Sequence, residues 1–144
     1  MSTMVAQPAI RLPVRTLALG AVCPGLVIGA ASAGVWWTRS AEAGQAAAFG
    51  AAVAVFSAIA WVVVLSVLPA RPASRWSLVL VLGSSARMMA SLALALACYL
   101  PLRPMETPFW ASFLATALAT LVVETMVSIS ALRRAAQGPE DPSR

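Results

Sequence analysis

Four apolar runs, at residues 17–37, 46–68, 78–100 and 109–132, take up most of this chain, and the segments between them are short and polar. Each run is long enough to cross a hydrocarbon core of about 30 Å, which takes roughly 20 residues in a helix. In that medium no water satisfies backbone N–H and C=O groups. Segments of this length must therefore be helical. The expected fold is all-α: a polytopic membrane protein with four transmembrane helices. Short connections make sequence neighbours antiparallel, so the helices are expected as two antiparallel hairpins. Residues 1–144 form a single membrane domain, with tails at 1–16 and 133–144 and no room for a separate soluble unit.

Composition agrees with that reading and rules out its main competitor. A chain with 60% hydrophobic and 10% charged residues and mean hydropathy +0.85 lacks the polar surface a soluble globule of this size needs. The formal charge of +5 would suggest nucleic acid in a soluble protein. Here every basic residue is Arg, and all but Arg87 flank the spans instead of forming a patch. They encode topology, with the lipid bilayer as the expected partner and no nucleic acid.

Arg11, Arg15, Arg71, Arg75, Arg133, Arg134 and Arg144 fall on one side of the expected membrane, and only Arg39 and Arg103 on the other. By the positive-inside rule the first side is cytoplasmic, so both termini are expected inside a cell inner (plasma) membrane. Trp36, Trp37, Phe109 and Trp110 would then mark the outer interface and Trp76 the inner one. The start of the chain also imitates a signal peptide, with Ala31-Ser32-Ala33 as a small-residue cleavage site. The apolar run continues through Val35, Trp36 and Trp37, which favours an uncleaved anchor. Val22 before Cys23 argues against a lipoprotein.

Two charges interrupt the last two runs. Arg87 lies inside the third and Glu124 inside the fourth. A charge within the bilayer costs about 2.5–3.5 kcal/mol on insertion scales, so such residues call for a named partner. The polar connection made by Pro101, Arg103, Pro104, Glu106 and Pro108 is centred near residue 105. Antiparallel helices pair positions equidistant from their turn, and Arg87 and Glu124 lie 18 and 19 residues from that centre. At about 1.5 Å of rise per residue they share one depth. The pair could be a fixed salt bridge that sets helix register. Alternatively one partner is exchangeable: Glu124 for a proton or cation, or Arg87 for an acid on another subunit.

Ser112, Thr116, Thr120, Glu124 and Ser128 recur every four residues along the fourth helix, and the third offers Gly83, Ser84, Arg87 and Ser91. The simplest arrangement has these two polar stripes facing each other, away from lipid. Small residues also recur at four-residue intervals, as Ala21, Gly25, Gly29 and Ala33, and as Ala46, Gly50, Ala54 and Ala58. Such faces let backbones approach closely where no hydrophobic drive brings helices together. Pro24 is expected to bend the first helix.

Catalytic chemistry has little to stand on. Cys23 and Cys98 lie about 9 Å and about 30 Å along their helices from the cytoplasmic side, too far apart for a disulfide. The chain has no His and no Cys pair at ligand spacing, so no metal site of N/S type is expected. A lone carboxylate is a poor Mg²⁺ cage. No phosphate loop, nucleophile with its base, or pair of acids for proton work is evident. The expectation is a non-enzyme without cofactor or small-molecule substrate.

Ser85-Ala86-Arg87-Met88-Met89 in the third helix, and Phe109-Trp110, Leu121-Val122-Val123-Glu124-Thr125 and Arg133-Arg134 in and after the fourth, resemble the ATP synthase protein I family. The motifs span roughly the C-terminal half, and length, helix number and cytoplasmic termini also resemble that family. The resemblance implies an accessory protein of the F-type ATP synthase that assists assembly or stability of the rotor ring of c subunits, with supply of Mg²⁺ as a further role. It also implies that Arg87 and Glu124 match the family's charged helical positions. A small ion channel or transporter for Mg²⁺ or protons, with a path along the fourth helix, is the alternative from another class. A generic membrane interaction scaffold is a third.

Overall fold

The computed structural model describes residues 9–10, 14–69 and 71–137. Arg11, Arg144 and the tail 138–144 lie outside the described residues, as do the side chains of Arg15, Ala21, Arg71, Arg75, Trp76 and Arg134. Four long helices make up the fold: α1 (Val14–Trp37), α2 (Ala41–Val67), α3 (Ala73–Leu102) and α4 (Glu106–Gln137). All four are long and apolar enough to cross a membrane. The expected spans lie within them, with α2 ending one residue short, and each helix begins several residues earlier than expected. The extra turns have identifiable local causes.

Ser40 has extended backbone and accepts a hydrogen bond from Ala43 N at 3.1 Å, so it caps α2 and starts the helix five residues before the apolar run. Glu42 in the first turn adds a carboxylate where the helix dipole is positive. Pro108 sits in the first turn of α4, where its missing N–H would have had no partner in any case. Arg103 ends α3 in the left-handed region with φ 41°, its N–H bonded to the Tyr99 carbonyl at 2.8 Å, and Pro104 follows. This is the αL termination that glycine usually supplies. Pro24 lies inside α1, which runs on through it as one helix to Trp37.

Contacts between helices establish their relative directions. Gly29 meets Ala51 and Gly25 meets Val55, so α1 and α2 run antiparallel. Gly20 meets Val127, Gly25 meets Thr120 and Ser32 meets Ser112, so α1 and α4 are also antiparallel. Gly50 lies against the Phe109 backbone while Trp61 reaches Glu124, which makes α2 and α4 parallel neighbours. Glycines make these approaches possible. A Cβ on Gly25 would come within 2.9 Å of Thr120 Cγ2, and one on Gly29 within 2.8 Å of the Ala51 Cβ. Helices α1, α2 and α4 thus close into a three-helix core. In α2 the expected small-residue face, Ala46, Gly50, Ala54 and Ala58, is buried throughout.

Helix α3 joins this core along one stripe. Its buried residues in 78–102 are Leu80, Arg87, Ser91 and Ala95. Tyr99 packs at a tilt against Phe109 and Trp110 with ring centroids 5.5 and 5.6 Å apart, and Leu80 packs with Leu65 of α2. Sequence neighbours α1–α2 and α3–α4 run antiparallel, and the two pairs share one core. Helix α4 is antiparallel to α3 but packs chiefly into the groove between α1 and α2, because their glycines admit it more closely than the Leu- and Met-rich surface of α3 does. Phe109 also departs from expectation: it is fully buried against Phe49 and Tyr99, a core residue and not part of an interfacial belt. Trp37 is exposed, and Arg39 lies 4.7 Å over the Trp36 ring. At the opposite end Ala9–Ile10 pairs antiparallel with Arg71–Pro72, which ties the N-terminal segment to the α2–α3 connection.

Large apolar side chains cover the outside of all four helices, among them Leu19, Val27, Phe56, Val63, Leu82, Met89, Leu118 and Met126. Exposed hydroxyls on this surface bond to carbonyls of their own helix, as Thr125 does to Leu121 and Ser130 to Met126, so they carry no unsatisfied donor into lipid. The caps give a direct test. Ser40→Ala should lower stability by about 1 kcal/mol through loss of the α2 cap. Arg103→Gly should raise it, since a non-glycine residue in the left-handed region costs roughly 1–2 kcal/mol. Unfolding in mixed detergent micelles, followed by far-UV circular dichroism, measures both.

Candidate functional site

The two intramembrane charges meet. Arg87 Nη1 is paired with Glu124 Oε2, and this is the one ion pair among the described residues. Both side chains are only 4% exposed, so the pair is withdrawn into the bundle. The paired depths read from the hairpin are correct: Arg87 lies opposite Glu124, and nearer the turn Tyr99 lies opposite Trp110. An antiparallel register centred near residue 105 satisfies both contacts.

Two further groups complete the site. Trp61 Nε1, from α2, donates to Glu124 Oε1 at 2.6 Å. Arg87 Nη2 donates to Thr120 Oγ1 at 3.1 Å, and that hydroxyl donates onward to the Ala117 carbonyl at 2.9 Å. Each carboxylate oxygen therefore has a donor, and the guanidinium spans α3 to two positions one turn apart on α4. Three helices meet on one carboxylate. In a low-dielectric interior such a network is strong when every member is satisfied and costly when one is missing.

Trp61 was not among the residues that sequence reasoning placed at the site. Its signal was its depth: it lies six residues from the end of α2, inside the bilayer and away from either aromatic belt, where a buried indole N–H needs an acceptor. Gly83 makes room for it. A Cβ at that position would collide with the Trp61 ring, so the absence of a side chain there lets α2 and α3 close over Glu124.

The expected stripe on α4 is real, and its neighbours are not all those expected. Ser112, Thr116, Thr120, Glu124 and Ser128 are all buried. Ser112 Oγ lies 2.5 Å from Ser32 Oγ of α1, and Thr116 lies beside Gly25 and Gly29 of α1 without a hydrogen-bond partner. Thr120 touches both α1 and Arg87. The reading that the whole stripe faces α3 is thus corrected, because the stripe winds around α4 and its half nearer Glu106 turns toward α1. On α3, Ser91 bonds to the Met88 carbonyl at 2.9 Å, and Ser84 lines a cleft beside Glu124.

That cleft lies in the α3–α4 seam, between the level of Glu124 and the arginine-rich end. It has a volume of about 370 Å³ and is lined by Leu80, Val81, Ser84, Glu124, Thr125, Ser128 and Ile129. Ser128 Oγ is buried without a hydrogen-bond partner. No group of three or more His, Cys, Asp or Glu residues that could hold a metal ion occurs among the described residues. Cys23 and Cys98 are free thiols. The chain matches no protein-family model, no curated protein and no solved structure.

The network predicts an asymmetric mutational pattern. Arg87→Leu leaves Glu124 buried with one donor and should destabilise the fold by about 3–5 kcal/mol, whereas Arg87→Leu combined with Glu124→Leu should recover most of that loss. Gly83→Ala should move the Trp61 indole off the carboxylate and shift its fluorescence. A single-Trp variant retaining Trp61, measured with and without Gly83→Ala, reads that displacement.

Proposed function

We propose that this chain is a non-enzymatic accessory protein of the F-type ATP synthase that assists assembly or stability of the rotor c-ring. The observation that carries a role by contact is the closed network at Glu124. Arg87, Glu124, Trp61 and Thr120 engage one another, which favours the register-fixing role of the pair over exchange. What this leaves for partners is a rigid bundle with apolar outer faces. The c-ring as partner rests on the resemblance of the third and fourth helices to the ATP synthase protein I family.

We place the chain in a cell inner membrane with both termini cytoplasmic. Seven of its ten arginines flank one end of the bundle in sequence, and the pairing of Ala9–Ile10 with Arg71–Pro72 supports a shared side for the N-terminal segment and the α2–α3 connection. One observation favours a second reading. Glu124 lines the α3–α4 cleft together with Ser84, Thr125 and Ser128, the polar lining that a short path for protons or Mg²⁺ would require.

Co-expression of ATP synthase genes with and without this chain, followed by c-ring yield on a mild native gel, tests the main reading. Ring yield should rise with the chain present, and Arg87→Leu should reduce it more than Arg87→Lys. Equal yield with and without the chain would reject the assembly role. Ion flux into liposomes holding only this protein, lost in Glu124→Gln, would establish the second reading instead.

A further inference from the structure

At the end of the bundle opposite the arginine-rich one, the close of α1 and the start of α4 stand side by side. Ser32 of α1 meets Ser112 of α4, and in this antiparallel pair one further turn brings Trp36 level with Pro108. A cleft of about 380 Å³ lies there, lined by Trp36, Arg39, Met105, Glu106, Thr107 and Pro108. Its walls carry opposite charges. The Arg39 guanidinium lies over the Trp36 ring, 4.7 Å from its centroid, and Glu106 opens α4. The two line one cleft without pairing, since Arg87 with Glu124 is the one ion pair among the described residues. The apolar span of α1 ends at Trp37 and that of α4 begins at Glu106, so both charges stand at the depth of lipid headgroups. Trp36 is an aromatic of the type that settles at this level.

We propose that this cleft binds the headgroup of one phosphatidylethanolamine from the leaflet at that end. Such a headgroup carries a phosphate and, two carbons away, a primary ammonium. The phosphate meets the Arg39 guanidinium, whose planar fork of N–H donors suits phosphate oxygens and which Trp36 supports from one side. The ammonium donates to the Glu106 carboxylate, a charge-assisted hydrogen bond. Charge complementarity selects a zwitterion: an anion alone would face Glu106, and a cation alone would face Arg39. The quaternary ammonium of phosphatidylcholine has the same charge but no N–H to donate. Depth selects a lipid over a dissolved zwitterion, because both apolar spans end at the cleft and acyl chains below the headgroup stay in the bilayer. This inference does not depend on the partner proposed above.

Native mass spectrometry of the full chain, released from micelles doped with equal amounts of phosphatidylethanolamine and phosphatidylcholine of identical acyl chains, tests it. One phosphatidylethanolamine should be retained, in preference to phosphatidylcholine by about threefold, the gain an exposed charged contact gives. Glu106→Gln should bring that ratio close to one while lipid is still retained. Arg39→Gln should lower retention of both lipids, since both offer the same phosphate. Glycerophosphoethanolamine, the same headgroup without acyl chains, should leave the retained lipid in place when added at equal concentration. Both substitutions are at exposed positions, and far-UV circular dichroism confirms that each variant is folded. Equal retention of the two lipids by the unaltered chain, meaning annular lipid only, would overturn the proposal. So would a preference that survives Glu106→Gln, retention unchanged in Arg39→Gln, or displacement of the lipid by the free headgroup.

Discussion

A carboxylate inside hydrocarbon is tolerated only if each of its oxygens is used, and the arrangement around Glu124 follows from that demand. Arg87 and Trp61 supply the two donors, from α3 and α2, while Glu124 belongs to α4. One side chain therefore ties together three helices that lipid would otherwise let drift, since the apolar faces of those helices gain little by leaving lipid for each other. Other features near the site serve this one. Gly83 gives Trp61 space, and Thr120 accepts from the second guanidinium nitrogen and donates its own hydrogen bond to the Ala117 carbonyl.

The remaining cohesion comes from close approach. Along α1 and α2, glycines and alanines bring backbones near enough for dispersion to act over the length of the helices, and α4 fills the groove they form. Helix α3 has few such positions and is held at separate points: Ala95 and Tyr99 toward the turn, Arg87 in the middle, Leu80 near the far end. A helix fastened at points leaves gaps between them. The cleft beside Glu124 is such a gap, lined by Ser84, Thr125 and Ser128 as well as by apolar side chains.

Arg87 and Glu124 could be paired from the sequence because depth along a transmembrane helix is nearly linear in residue number. Two positions equidistant from a tight turn must lie at one level, and the observed register agrees with that arithmetic. The stripe from Ser112 to Ser128 was legible for the same reason: a four-residue spacing keeps side chains on one slowly turning face. Which helix that face meets was not legible. In water a polar face points outward and an apolar one inward, so pattern reports orientation. In a bilayer Leu and Val suit lipid and protein alike, and that signal vanishes. Phe109 was misread on the same account, as an aromatic at an interface when its ring is core.

By itself, then, the sequence determined four membrane-spanning helices, their approximate ends, and the common depth of the two buried charges. Each of these depends on length, composition or distance along one axis. Only the tertiary structure decided rotation about that axis: that α4 nests between α1 and α2, that Ser112 and Thr116 turn toward α1, that Trp61 completes the site, and that a cleft opens beside Ser128. Rotation is set by which small side chains let two backbones touch. That is a property of pairs of helices and is written in neither one alone.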